Sequence, residues 1–502
     1  MEVLDNLYLG FSHIFILENL IYCFLGVFIG TLIGVLPGIG PVGAMSILLP
    51  ATFKTSPIGS IIMLGGIYYG AMYGGSTTSI LVNIPGEAAS VVTCLDGYQM
   101  ARHGRAGPAL GIAAFGSFIA GTLSIVGLML IAPPLASIAL RFGPPEYFSL
   151  MCLGLTILIY LASGSIIRAL MMAVFGVIIG CVGQDAETGS PRFVFGIYDL
   201  MDGIGLAPFV MGLFGISEVF LNIEQVLKER NIFETKLKRL FPNLQDWKDS
   251  AMPIMRGSIL GFLLGILPGG GAVISSFASY GIEKKISKHP EKFGKGAIEG
   301  VAGPESANNS ATGGAFIPLL TLGIPPNVVM ALLLGALMMH GVTPGPRLIQ
   351  ENPVIFWGVV ASMYVGNGML LLLNLPLIGL WVQVLKVPYK ILFPLIILFC
   401  VIGAYSINNS TFDIAIMLIF GVLGYLMRKY NFEGAPMVLA FVLGPMLENA
   451  LRLSLLMSDG SFLIFFNRPI AAGGMIVTIL MLISCIVPVI RKKREAIPLE
   501  EA

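Results

Sequence analysis

Glu305, Ser306, Asn308 and Asn309 lie in GVAGPESANNSATGGAFIPLLTLGIPPN (Gly300–Asn327), with long apolar segments on either side. The carboxylate can carry a proton or ligate a cation, while the hydroxyl and carboxamides can donate to an anion or offer oxygens to an ion. Hydrocarbon penalises unpaired polar groups, so this run must line a protein-walled cavity. Ionisable groups at membrane depth mark substrate or ion paths. A second run, GGSTTSILVNIPGE (Gly74–Glu87), places four adjacent hydroxyls, Ser76, Thr77, Thr78 and Ser79, ahead of Asn83 and a break at Pro85 and Gly86. Those hydroxyls suit a carboxylate or a small cation, and the break frees carbonyls for coordination. The competing reading is structural: Ser and Thr in membrane helices bond to their own backbone carbonyls, and Glu305 caps a helix start.

The chemistry this predicts is binding, not bond breaking. No GxSxG, metal-ligand set or suitably placed histidine accompanies GGSTTS, so the chain does not read as an enzyme. Six cysteines are scattered without a CxxC pair, and four histidines lack HExxH spacing, so neither a disulfide framework nor a zinc site is expected. No cofactor is expected; the one metal role is transient Na+ at Asn83, Asn308 and Asn309. Glu448 and Arg452, four residues apart, read as a helix-face ion pair.

The elements that must hold these groups are membrane helices. The chain has 502 residues, 56% hydrophobic and 11% charged, against about 25% charged in soluble domains. A net charge of +1 excludes a nucleic-acid footprint. The first 17 residues carry no Lys or Arg, so no cleavable signal peptide is read. Apolar segments are expected at 18–36, 58–74, 108–133, 145–162, 165–183 and 204–227, then at 252–267, 354–375, 388–404, 410–427, 436–457 and 463–490. Broken segments are expected at 76–101 and 296–340. Two turns, PGIG (Pro37–Gly40) and PGGG (Pro268–Gly271), each lead into a short apolar run. Proline ends the preceding helix there and glycine turns the chain, which leaves Gly38, Gly40, Gly269, Gly270 and Gly271 to present N–H groups to a carboxylate.

These landmarks recur. GVLPGIG (Gly34–Gly40) matches GILPGGG (Gly265–Gly271), NIPG (Asn83–Gly86) answers GIPP (Gly323–Pro326, which includes Pro325), and VFGVIIG (Val174–Gly180) resembles IFGVLGY (Ile419–Tyr425). An internal duplication follows. With Lys228–Lys248, Lys284–Lys295 and Arg491–Arg494 cytoplasmic, all but six of the 29 Lys and Arg fall inside, the six being Lys54, Arg141, Arg192, Arg347, Arg452 and Arg468. Corresponding loops then carry opposite bias, so the copies are read as inverted. The expected fold is an all-α polytopic membrane protein of two inverted-topology repeats with re-entrant hairpins, broken helices and about 11–12 membrane segments. Its divisions are 1–227, a cytoplasmic linker at 228–249, 250–457, and an extra helix with a basic tail at 458–502. The N-terminus is placed in the periplasm and the C-terminus in the cytoplasm.

GVLPGIGP, YGGSTTSILVNIPGE, GPESANNSATGG and ENALRLSL resemble the large membrane subunit of bacterial tripartite tricarboxylate transporters, the TctA type, over residues 15 to 490. The resemblance implies an inner-membrane secondary transporter that takes a carboxylate such as citrate from a periplasmic solute-binding protein, beside a small membrane subunit. A Na+ or H+ gradient would drive it. It carries ligand roles onto Ser76–Ser79, Asn83 and Glu305–Asn309; Pro326 departs from the family, which usually has glycine there. Analogy with other inverted-hairpin anion transporters implies an elevator movement. A related dicarboxylate or sialate carrier and an anion channel remain open alternatives.

Overall fold

The computed structural model describes residues 2–36, 39–161, 165–185, 187–225, 240–269, 271–385 and 389–486. Pro37, Gly38, Gly270, most of the 228–249 linker and the basic tail therefore lie outside the described residues. The fold is all-α, with one two-residue strand pairing, β1 (Gly183–Gln184) to β2 (Pro191–Arg192). Among the described residues six helices are long and apolar enough to cross a membrane. The outside is greasy, with Leu130, Ile167, Leu372, Leu456 and Leu480 exposed, whereas Glu305 and the hydroxyl run are buried. That arrangement suits hydrocarbon as solvent.

The first half opens on α1 (Glu2–Ile14) and α2 (Leu17–Val35), and after the turn continues with α3 (Gly40–Leu48). Next comes α4 (Pro57–Val82), started by Ser56, whose hydroxyl accepts from the Gly59 N–H, with Pro57 in the first turn. The expected break at 76–101 is narrower than the sequence suggests. α4 runs unbroken through all four hydroxyls and ends at Asn83, which adopts φ 58°. Then follow α5 (Val91–Arg102), α6 (Ala106–Ala139), α7 (Pro144–Leu161), α8 (Ile166–Gly180), α9 (Leu206–Val210, continued by a π-helical turn to Ile216) and α10 (Ser217–Gln225).

The second half begins inside the expected linker. Asn243 and Asp246 form a capping box that starts α11 (Leu244–Ile266). After the second turn come α12 (Gly271–Ile286), α13 (Glu299–Gly314), α14 (Phe316–Leu322) and α15 (Val328–Met339). The polar run is thus helical; a single turn residue, Ala315, separates α13 from α14, and the longer break lies at Gly323–Asn327. Beyond lie α16 (Leu348–Glu351), α17 (Pro353–Asn374), α18 (Ile378–Val384), α19 (Tyr389–Asn408), α20 (Thr411–Lys429), α21 (Gly434–Met457), α22 (Ile464–Asn467) and α23 (Pro469–Ile486).

Two helix pairs carry the centre, and glycine sets how close they come. Gly26, Gly30 and Gly34 of α2 lie against the backbone carbonyls of Met63, Ile67 and Ala71 in α4. Gly257, Gly261 and Gly265 of α11 lie in the same way against Gly303, Ala307 and Ala311 in α13. In both ladders a Cβ would strike backbone, so only glycine fits. The same glycine-on-carbonyl geometry therefore occurs in both halves. The outer helices pack in exchange: Gly176 and Gly180 of α8 lie on the carbonyls of Met437 and Phe441 in α21, while Gly424 of α20 lies on that of Leu213 in the π turn.

Candidate functional site

Glu305 sits in the interior of α13, 1% exposed, and not at a helix start. Ser76 of α4 donates to one of its carboxylate oxygens at 2.5 Å, and Thr93 of α5 donates to the other. Both donors come from the first half. One turn on, the Asn309 side-chain amide donates to Ser117 of α6 at 2.7 Å and to the Glu305 carbonyl at 3.0 Å. Beside them a cavity of about 10 Å³ is lined by Tyr73, Ser76, Thr77, Ser117 and Asn374 on one side and by Leu110, Ala113 and Ala114 on the other, room for roughly one water. Ser306 Oγ, Asn308 Oδ1 and Asn309 Oδ1 are buried without a hydrogen-bond partner. Among the described residues no Lys or Arg is buried. The buried groups around this cavity therefore comprise carboxylate, hydroxyl and amide oxygen, with no buried Lys or Arg among the described residues.

The four hydroxyls do different jobs. Ser76 and Thr77 face the chamber. Thr78 donates at 2.7 Å to the carbonyl of Val35, the last residue of α2, and so satisfies a helix-end acceptor. Ser79 bonds back to the Gly75 carbonyl at 3.0 Å, the structural role weighed above. Valine at the two middle positions should separate these roles. Thr77→Val is expected to lower transport with thermal stability within about 0.5 kcal/mol of wild type. Thr78→Val is expected to cost about 1–3 kcal/mol by leaving the Val35 carbonyl unpaired. Uptake in proteoliposomes checks the first and thermal unfolding of the purified variants checks both stabilities.

The turns and breaks lie beside one another. Gly86 packs on the Gly34 carbonyl and on the Gly75 α-carbon, which joins the first break to the end of α2. Gly269 donates its N–H to the Pro326 carbonyl at 2.9 Å, which joins the second turn to the second break. Gly40 and Gly271 open α3 and α12 with φ of 61° and 38°. Pro325 is buried and Pro85 half-buried, whereas Asn83 is exposed at the end of α4. The structure thus leaves Asn83 outside the buried set around Glu305.

Several residues at the site carry no role in the sequence reading. Thr93, in the mixed helix α5, and Ser117, in the apolar α6, are isolated hydroxyls with no motif around them, so only the fold shows their partners. Glu87 was legible as the end of the quoted motif; it is 7% exposed and faces Asn308. Asp96 of α5 accepts from the Gly296 and Ala297 N–H groups at 2.7 and 2.8 Å and from the Tyr280 hydroxyl at 2.9 Å. It anchors the approach to α13 and so helps position Glu305. The pair Glu448–Arg452 forms at 2.7 Å and belongs to a wider network with Asp185 and Arg192.

The model of the tripartite tricarboxylate transporter TctA family matches residues 20–439. An uncharacterized 52.8 kDa protein from the TAR-I ttuC′ 3′ region of Agrobacterium vitis is 52% identical over 501 residues, covering 100% of both chains. An uncharacterized protein from the TAR-II ttuC′ 3′ region of the same organism is 53% identical over 241 residues, 48% of this chain and 100% of its own length. No solved structure matches. With the family motifs on the broken helices and the family model spanning most of its length, the chain belongs to the tripartite tricarboxylate transporter TctA family.

Proposed function

We propose that this chain is the large membrane subunit of an ion-gradient-driven importer of a tricarboxylate or related carboxylate such as citrate. A periplasmic solute-binding protein delivers the substrate, and a small membrane subunit completes the assembly in the inner membrane. The two halves act as inverted repeats, with the N-terminus periplasmic and the C-terminus cytoplasmic. An elevator movement alternates access, and Na+ or H+ enters with the anion.

One observation carries the reading. Glu305, buried at the heart of a membrane protein, is held by hydroxyls from the opposite half beside a small cavity lined in part by hydroxyls. A buried carboxylate with, among the described residues, no buried Lys or Arg cannot by itself attract a second carboxylate; a cation entering alongside supplies the missing charge. Hydroxyls and the backbone N–H groups where α3 and α12 begin complete the anion's contacts; the Gly269 N–H, expected among them, is taken by the Pro326 carbonyl.

The test is uptake of labelled carboxylates into proteoliposomes that hold both membrane subunits, with the binding protein added outside. Saturable uptake that needs the binding protein and a Na+ or proton gradient is expected. Flux that does not saturate and ignores the binding protein would identify a channel instead.

A further inference from the structure

An offset of 240 residues lays the first broken helix on the second: Asn83 falls on Gly323, both left-handed, and Glu87 falls on Asn327. Glu87 and Asn327 share backbone angles, φ −146° and −151° with ψ 167° and 172°, and each caps the helix that follows its break. Contacts between the halves then recur in exchanged form. Ser76 touches Glu305; the exchanged pair is Gly65 and Phe316, where a Cβ on Gly65 would lie 3.5 Å from the Phe316 ring. Glu87 faces Asn308; the exchanged pair is Asn327 and Tyr68.

The two exchanged pairs differ in one respect. Asn327 accepts from the Met330 N–H at 2.9 Å and donates to the Tyr68 hydroxyl at 3.2 Å, so the pair is neutral and closed. Glu87 accepts from the Ala89 N–H through one oxygen and, at the long distance of 3.4 Å, from the Asn308 side-chain N–H through the other. Asn308 Oδ1 has no partner although the residue is 1% exposed. A half-turn of the amide, whose oxygen and nitrogen are interchangeable by assignment, turns that oxygen toward Glu87. Two oxygens held at right angles on a hard cation, each at about 2.4 Å, stand roughly 3.4 Å apart. A shared proton would draw them to about 2.5–2.7 Å. One carboxylate balances one positive charge, whereas the hydroxyls of Ser76 and Thr93 already occupy Glu305.

We propose that Glu87 and Asn308 hold a Na+-sized monovalent cation, at the one of two equivalent positions that carries charge. This names the oxygens for the ion in the transport reading and rests on that reading only for what the ion does. Binding is measured without transport, by thermal unfolding of the full-length purified chain in NaCl, KCl or choline chloride at matched ionic strength. Wild type is expected to gain stability with Na+ more than with K+, and more with K+ than with choline, since a ligand of the native state stabilises by mass action.

Glu87→Gln keeps an acceptor for the Ala89 N–H but loses the charge, and should raise the Na+ concentration for half-maximal shift about tenfold or more. Asn308→Leu should do the same, while Gly281→Ala in α12, whose added Cβ meets nothing within 4 Å, should keep the Na+ response. If Glu87→Gln does not elute as a folded species, Asn308→Leu and the wild-type ion order carry the comparison. A Na+ response that survives both substitutions, an equal response to choline, or one that follows pH and not Na+ would overturn the assignment. Uptake failing while the Na+ response stands would sink the transport reading alone.

Discussion

Glu305→Gln is expected to yield folded protein whose initial rate of carboxylate uptake in proteoliposomes falls about 100-fold. Both carboxylate oxygens accept hydroxyl hydrogens, from Ser76 and from Thr93, and a hydrogen bond to a charged group is worth about 1.5–3 kcal/mol. Glutamine keeps one acceptor and replaces the other by a donor, so one of the two links between the halves is lost along with the charge. A loss near 3 kcal/mol in the loaded state corresponds to roughly a hundredfold. Glu305→Ala goes further, because both buried hydroxyls lose their acceptor, for roughly 2–6 kcal/mol of stability. Size-exclusion profiles separate the two outcomes. Uptake by Glu305→Gln within about threefold of wild type, or less than about 0.7 kcal/mol, would remove this carboxylate from the transport path.

The second large effect is structural. Gly261→Val and Gly30→Val should both prevent accumulation of folded protein, and to a similar degree. At Gly261 a Cβ would strike the Ala307 carbonyl, and at Gly30 that of Ile67, with the Ile67 α-carbon 2.8 Å away. Overpacking of side chains usually costs about 1–3 kcal/mol; here the obstacle is backbone inside a helix, which cannot swing aside, so the cost exceeds that range. Gly281→Ala in α12 is the control. Nothing lies within 4 Å of its added Cβ, and alanine in a helix interior is favoured over glycine by about 0.5–1 kcal/mol. Equal losses across all three sites would show that glycine content, not close approach, governs folding.

Much of this frame was readable because glycine leaves a mark. GVLPGIG and GILPGGG already carry the last rungs of the two ladders, Gly34 and Gly265, and the earlier rungs follow at the same four-residue spacing. The helical state of Glu299–Gly314 was less legible. Its Gly, Asn, Ser and Thr have poor helix propensity, and full burial between α11, α6 and α12 overrides that preference. Thr78 shows another limit: a hydroxyl facing a chamber and one facing a carbonyl look the same in sequence. Thr93 and Ser117 matter only through partners hundreds of residues away, a distance local patterns do not span. α1 was passed over because Glu2, Asp5 and Asn6 dilute its apolar face, which packs through Gly10 on Trp357 of α17.

The exchange of outer helices bears on how the polypeptide is made. α8 rests on α21, which leaves the ribosome some 250 residues later. At about 5–20 residues per second, that is a delay on the order of tens of seconds. Through it the Gly176 and Gly180 groove must be shielded by lipid or by an insertion factor, so the nascent N-terminal half is the stage at which assembly in the bilayer is most exposed to error.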